Sequence, residues 1–283
     1  MSKLKKKVPV LVTIAPVFIW MFLLGVVPLL YVLVLSFSST DGRNVIYQFT
    51  LGNYAKMADS VYQQIYINSL VIAVTTTVIC ILLGYPFAYI MARSSKKKQG
   101  FMMVLLMIPF WTNSVIRLYG WRTFLGSKGL LNNALLALGL TSQSVDFLYN
   151  RGTVILGMVY TLLPFMILPI YSSLQKLDWS LLEASYDLGA RGPRTFFKVI
   201  VPLTSSSIFS GVLMVFIPCL GYYFVEDIMG GGNSQMIGNV IETYFKAGNN
   251  WPVGAAFSVI LIMITLLLVT LYKKCGGSMD DLV

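Results

Sequence analysis

The sequence predicts an all-α integral membrane protein of six transmembrane helices, with the N and C termini both cytoplasmic. Composition is the first observation: 57% of the 283 residues are hydrophobic and 11% charged, where an average soluble chain carries about 25% charged residues. Spacing is the second. Uncharged windows cover residues 8–40, 60–92, 99–116, 152–175, 199–225 and 247–272, and each can hold one helix of about 20 residues. The third is the distribution of Lys and Arg about those windows, which gives the helices a direction.

The first window follows a basic start, Met1 to Lys7, and stays uncharged until Asp41. A cleavable signal would have a shorter apolar stretch and a small-residue cleavage site, so the run reads as the first span. Prolines recur inside the windows, at Pro16, Pro28, Pro86, Pro109, Pro164, Pro169 and Pro218. Each removes a backbone donor and kinks or weakens its helix. Such breaks persist in a membrane where neighbouring helices or a watery cavity satisfy the freed carbonyls. They suit a bundle that encloses a pathway, with ordinary kinks in packed helices as the plainer reading. A seventh window, 129–145, is apolar but short, and Gly129, Asn132, Asn133 and Gly139 interrupt it.

Charge decides between six spans and seven. With six, the inner segments hold Lys3, Lys5, Lys6 and Lys7; Arg93, Lys96, Lys97 and Lys98; Lys176, Arg191, Arg194 and Lys198; and Lys273 and Lys274, which is 14 of the 21 basic residues. Were 129–145 also to span, the topology beyond it would invert and the inner share would fall to 10 against 11. The positive-inside rule selects six, with 129–145 at the outer surface or packed between other helices.

Several function classes fall away. The net charge of +10 lies at the ends of apolar runs rather than on one face with stacking aromatics, which excludes a nucleic-acid footprint. Cys80, Cys219 and Cys275 are too far apart for a zinc or redox motif, and the chain has no histidine, so histidine-based acid/base catalysis and His-ligated metal sites are ruled out. No catalytic or metal-ligating residue is assigned. Gly230-Gly231-Gly232 lacks the lysine and following helix of a phosphate loop.

The segment 176–202, KLDWSLLEASYDLGARGPRTFFKVIVP, has the grammar of two short helices. Ser180 with Glu183 forms a capping-box pattern, Gly189 or Gly192 can end the first helix in the left-handed conformation, and Pro193 suits the first turn of the second. Such a hairpin offers a knob for a partner's groove; a helix resting on lipid headgroups is the alternative.

Glu183-Ala184-Ser185, then Gly189, then Val199, Val201 and Pro202 resemble the EAA loop of binding-protein-dependent ABC importer permeases, E-A-A, three residues, G, nine residues, I-x-L-P. Every spacing matches; Ser185, Val199 and Val201 depart from it by small changes. The resemblance implies a type I importer (MetI-like) bundle, one permease domain over 1–283 with 176–202 as its coupling loop. By resemblance Glu183, Ala184, Ser185 and Gly189 contact an ATPase subunit. It also implies a second homologous permease, two ATPase subunits and an extracytoplasmic binding protein. ATP and Mg are then held by the ATPase partners, with no cofactor in this chain.

Further stretches, PFWTNSVIRLYGW from Pro109, LLPFMILPIYSSLQKLD from Leu162 and GYYFVEDIMGGGNSQMIGNVI from Gly221, resemble the permeases of spermidine/putrescine importers, and this implies a polyamine substrate. A polyamine needs carboxylates for its ammonium groups and aromatic faces for its ammonium and methylene parts. Tyr222, Tyr223, Glu226 and Asp227 supply both, and Trp111, Asn113 and Tyr160 are added as pathway candidates. An aromatic belt with two solvated carboxylates is the plainer reading. The outer surface itself is nearly neutral, so only this local cluster selects a cation. Another solute, such as an amino acid, oxyanion or iron complex, an integral membrane transferase, and a solitary channel are the competing functions.

Overall fold

The structure is a computed structural model describing residues 15–42, 44–246 and 250–274. The basic start Met1 to Lys7, Arg43, Cys275 and the acidic pair Asp280-Asp281 lie outside the described residues. Helices occupy all six uncharged windows. Among the described residues four are long and apolar enough to cross a membrane unbroken: α1 (Ala15–Ser36), α2 (Ser60–Arg93), α6 (Arg151–Lys176) and α11 (Trp251–Lys274, apolar over Trp251–Leu271). Two further spans arise if each of two bent helix pairs is counted as one.

The bends correct the expectation of single helices over 99–116 and 199–225. In the first, Lys96–Trp111 meets Ser114–Ala137 at 93°. Helix α3 (Lys96–Met107) tightens into a 3₁₀ turn at Ile108–Trp111 holding Pro109, Thr112 is extended, and Asn113 caps α4 (Ser114–Leu125) by accepting the Val115 N–H at 2.8 Å. In the second, α8 (Gly192–Leu203) and α9 (Ser205–Gly221) meet at 70°. Thr204 sits at the break, its hydroxyl on the Ile200 carbonyl at 2.9 Å and 2.8 Å from the Tyr85 hydroxyl.

One local rule recurs. A π turn at Phe22–Val26 precedes Pro28, and another at Phe196–Ile200 precedes Pro202. In each, the residue before the proline donates five residues back, Val27 to Phe22 and Val201 to Phe196. The wider turn frees the carbonyl that a proline ring would otherwise strike.

The chain divides into two compact units, Met1–Gln63 with Val240–Ile264, and Gln64–Asn239 with Thr265–Val283. In the first, the apolar stretch of α1 is unburied among the described residues, as suits a helix facing apolar surroundings on all sides. The buried Asn53 amide ends that helix, donating to the Ser36 and Ser38 carbonyls at 2.9 and 2.7 Å. A two-residue hairpin, β1 (Ser39–Thr40) against β2 (Val45–Ile46), turns the chain after it. Tyr62, Tyr244 and Phe257 form an aromatic group, with the last two stacked 5.9 Å apart.

In the second unit α6 is the central element, with Met158, Leu162, Met166, Ile167, Ile170 and Leu174 all buried. Its neighbours approach through glycine. A Cβ on Gly84 of α2 would stand 3.2 Å from Met166, one on Gly211 of α9 2.7 Å from the Met166 sulfur, and one on Gly157 of α6 2.6 Å from the Met229 sulfur. Small residues at such crossings let membrane helices pack closely where burial from water supplies no force. Helix α5 (Leu130–Ala137) is eight residues long, too short to span. The buried Asn132 side chain fixes it, bonding the Gly126 and Val145 carbonyls at 3.0 Å and the Val145 N–H at 2.8 Å.

Helix α10 (Ile237–Lys246) begins against the end of α9, where a Cβ on Gly238 would lie 2.9 Å from the Gly221 carbonyl oxygen. Backbone cannot yield as a side chain can, so Gly238→Ala should destabilise the protein by about 1–3 kcal/mol. Gly120 meets nothing within 4 Å, and Gly120→Ala should stabilise it by roughly 0.5–1 kcal/mol through helix propensity. Thermal unfolding of the two variants in detergent measures both signs.

Candidate functional site

The hairpin at 176–202 forms as two helices, α7 (Ser180–Asp187) and the start of α8. Gly189 ends α7 at φ +80°, and Pro193 sits in the first turn of α8, both as the sequence predicts. The capping box does not form. Ser180 is already helical, and the Asp178 carboxylate takes over by accepting its N–H at 3.0 Å. That bond holds the Asp178 carboxyl below its usual range. The helix start therefore gains from it above the ordinary carboxylate pKa and loses the gain as pH falls through the lower folded value.

Two anchors fix the hairpin to the bundle. Trp179 packs edge-on against Tyr89 at 6.1 Å, with the Arg93 guanidinium 5.5 Å from the Trp179 ring and 5.8 Å from that of Tyr89. Leu182 is buried, and Phe196 packs on Tyr85 and Tyr89 at 5.2 and 6.2 Å. Behind them Gln99 closes the end of α2, donating to the Ala92 and Ser94 carbonyls at 3.1 and 2.8 Å, while its oxygen accepts from Tyr171 and Gln175 at 3.2 Å.

The four residues singled out here separate into two roles. Glu183, Ala184 and Gly189 are exposed. Ser185 turns inward, its hydroxyl 2.6 Å from that of Thr195, so the two helices of the hairpin are tied side chain to side chain. An alanine at 185 has no hydroxyl for this bond. Sequence reasoning missed Leu188, which is 89% exposed beside Gly189, with Tyr186 and Leu181 exposed on the same short helix. A leucine at the αL end of a helix was the available signal, since the turn of Gly189 lifts the side chain before it off the hairpin.

At the end of α9 the aromatic and acidic cluster assembles in part. Tyr222 and Tyr223 are half-buried around Phe224, at ring distances of 5.0 and 6.1 Å. Asp227 is exposed and accepts from the Asn239 amide at 2.6 Å; the same amide donates to the Tyr223 carbonyl at 3.2 Å. Glu226 points away from solvent. It is 1% exposed and accepts the Ser234 N–H at 3.1 Å, stapling the glycine turn at 230–232.

The remaining candidates sit apart from that cluster. Trp111 is 83% exposed at the break between α3 and α4, and Asn113 is occupied as the α4 cap. Tyr160 belongs to an aromatic box around Arg117, whose guanidinium lies 5.4 Å from the Tyr160 ring and 5.7 Å from that of Phe110. Among the described residues the Arg117 Nε and Nη1 are buried and meet no hydrogen-bond acceptor, so ring faces carry the charge. The Tyr160 face already holds a cation of its own chain.

Residues 84–273 match the family described as "Binding-protein-dependent transport system inner membrane component". The spermidine/putrescine transport system permease protein PotB of Haemophilus influenzae is 43% identical over 94% of this chain and 93% of its own. PotB of Escherichia coli K12 is 41% identical over 93% and 96%. Among solved structures, a bacterial alginate ABC transporter in complex with an alginate pentasaccharide-bound periplasmic protein superposes with a TM-score of 0.74 at 16% identity, over 96% of this chain and 94% of that one, which establishes a common fold. The chain belongs to the family of binding-protein-dependent transport system inner membrane components, the MetI-like permeases of ABC importers.

Proposed function

We propose that this chain is the permease subunit of an ABC importer for polyamines such as spermidine and putrescine. The whole chain acts as one permease domain, with 176–202 as its coupling loop. The observation that carries the substrate class is similarity to PotB permeases along nearly the full length of both chains. It pairs with a second homologous permease, two ATPase subunits and an extracytoplasmic polyamine-binding protein, and the ATPase subunits bind and hydrolyse ATP with Mg. Both termini and the hairpin lie on the cytoplasmic side, where the Lys and Arg excess places them.

Coupling runs through the hairpin. Glu183, Ala184, Gly189 and Leu188 enter a groove of the ATPase, and Ser185 keeps the hairpin rigid through Thr195. Trp179, Arg93 and Phe196 then pass movement of the hairpin to α2 and α8. The substrate passes Tyr222, Tyr223 and Asp227, with Trp111, exposed at the break between α3 and α4, a further contact. Inward movement of a cation is favoured by about 2.3 kcal/mol per charge per 100 mV, so the ATPase serves as much to gate the path as to drive it.

Replacing an exposed leucine by aspartate leaves the hairpin's own bonds in place. Leu188→Asp should therefore abolish copurification of the ATPase without lowering the amount of membrane-inserted chain, and intact copurification would move the docking surface elsewhere. Ser185→Ala should cost about 1 kcal/mol of local stability and raise ATP hydrolysed per molecule imported. For the path, Asp227→Asn should lower uptake of labelled spermidine about tenfold at limiting substrate while the complex still assembles. Unchanged uptake by that variant rules Asp227 out, and no uptake by the parent complex with ATP present refutes the polyamine reading.

A further inference from the structure

A basin at the far end of α4 is untouched by the coupling loop and by the Tyr223–Asp227 cluster. It encloses about 600 Å³ between α4 and residues 146–149, and Tyr119, Arg122, Ser127, Asp146 and Tyr149 line it. Tyr149 adopts φ +62°, in the left-handed region that side chains disfavour. Three contacts hold it there. Its N–H donates to the Met229 carbonyl at 2.9 Å, its carbonyl accepts from the Asn233 amide at 3.1 Å, and its ring lies so close over Gly231 that a Cβ there would stand 2.5 Å away. Backbone strain that the surroundings over-determine marks a side chain whose position matters.

What that ring does is support a cation. The Arg122 guanidinium lies 5.9 Å from the Tyr149 ring and 5.9 Å from the Tyr119 ring, both lining the basin. Among the described residues no ion pair involves Arg122. A guanidinium held by rings keeps its planar fork of donors for a carboxylate. Between residues 112 and 151 the sequence carries Arg117, Arg122, Lys128 and Arg151 against a single acidic residue, Asp146, so the net charge of this segment is the wrong sign to attract a polyamine and the right sign for an acidic surface.

We propose that this basin is the socket in which an acidic side chain of the extracytoplasmic binding protein docks, with Arg122 as its anchor and Tyr149 as the platform that aims it. The assignment rests on the importer reading, which puts residues 117–151 on the outer face and brings a binding protein to it. Rim charges of this kind set orientation and association rate.

The test measures the affinity of the purified binding protein for the complete complex in lipid nanodiscs, for the parent and for Arg122→Gln and Asp146→Asn. Arg122→Gln should weaken binding about tenfold and flatten its salt dependence. Asp146→Asn should tighten it about two- to threefold by removing a charge that repels the incoming carboxylate. Opposite signs from two neighbours on one basin are not what misfolding produces. Equal affinity of Arg122→Gln and parent overturns the docking assignment alone, as does weaker binding by Asp146→Asn, the sign expected of a basic anchor. No binding to the parent complex overturns the importer reading and the socket with it.

Discussion

The close approach of helices to α6 at three glycines is the constraint on which the larger unit depends. In lipid no water is gained by packing one apolar helix on another, so contact has to come from shape. Gly84, Gly157 and Gly211 supply it, each where a single added carbon would strike a methionine of a neighbouring segment. Methionine is an apt partner because its unbranched chain fills irregular gaps. At Gly157 the Leu118, Val225 and Met229 side chains meet, so α4, α6 and the Glu226–Gly230 turn register together. Both the Tyr149 platform and the Tyr223–Asp227 cluster hang on that junction.

Two breaks give the bundle its functional geometry. The first coincides with Pro109 and is answered by Asn113 capping α4; the second sits at Thr204, whose hydroxyl bridges to Tyr85. A straight α3–α4 would carry Arg117 and Arg122 onward along the span axis; the 93° bend turns them aside and lets aromatic rings hold both guanidinium groups. The bend at Thr204 lets α8 lie against Tyr85 and Tyr89 while α9 packs on α6.

Much of the fold is legible in the sequence, because lipid imposes length and absence of charge on every span. The windows around α1, α2, α6 and α11 show this, and Asn132 with Gly129 marks the short helix that does not span. The bends were less legible: Pro109 and Pro218 look alike in sequence, yet one coincides with a break and the other lies inside an intact helix, since neighbours decide whether freed carbonyls find partners. The hairpin was read from glycine and proline positions that allow few conformations. The capping box is absent because Ser180 lies inside the first turn with its own N–H taken by the Asp178 carboxylate, and the exposure of Leu188 is not legible in sequence because it depends on the turn of Gly189. Glu226 and Asp227 are adjacent in sequence and opposite in fate, one stapling a loop and the other facing out, a difference set by Ser234 and Asn239 from farther along the chain.

The central claim is directional: hairpin toward the ATPase, basin toward the binding protein. Membrane-impermeant thiol labelling of intact cells, using single-cysteine variants Leu188→Cys and Ser127→Cys in an otherwise cysteine-free chain, tests it most directly. The account predicts that Ser127→Cys is labelled in intact cells and that Leu188→Cys is labelled only after the membrane is permeabilised. Labelling of Leu188→Cys from outside, with Ser127→Cys protected, would contradict it.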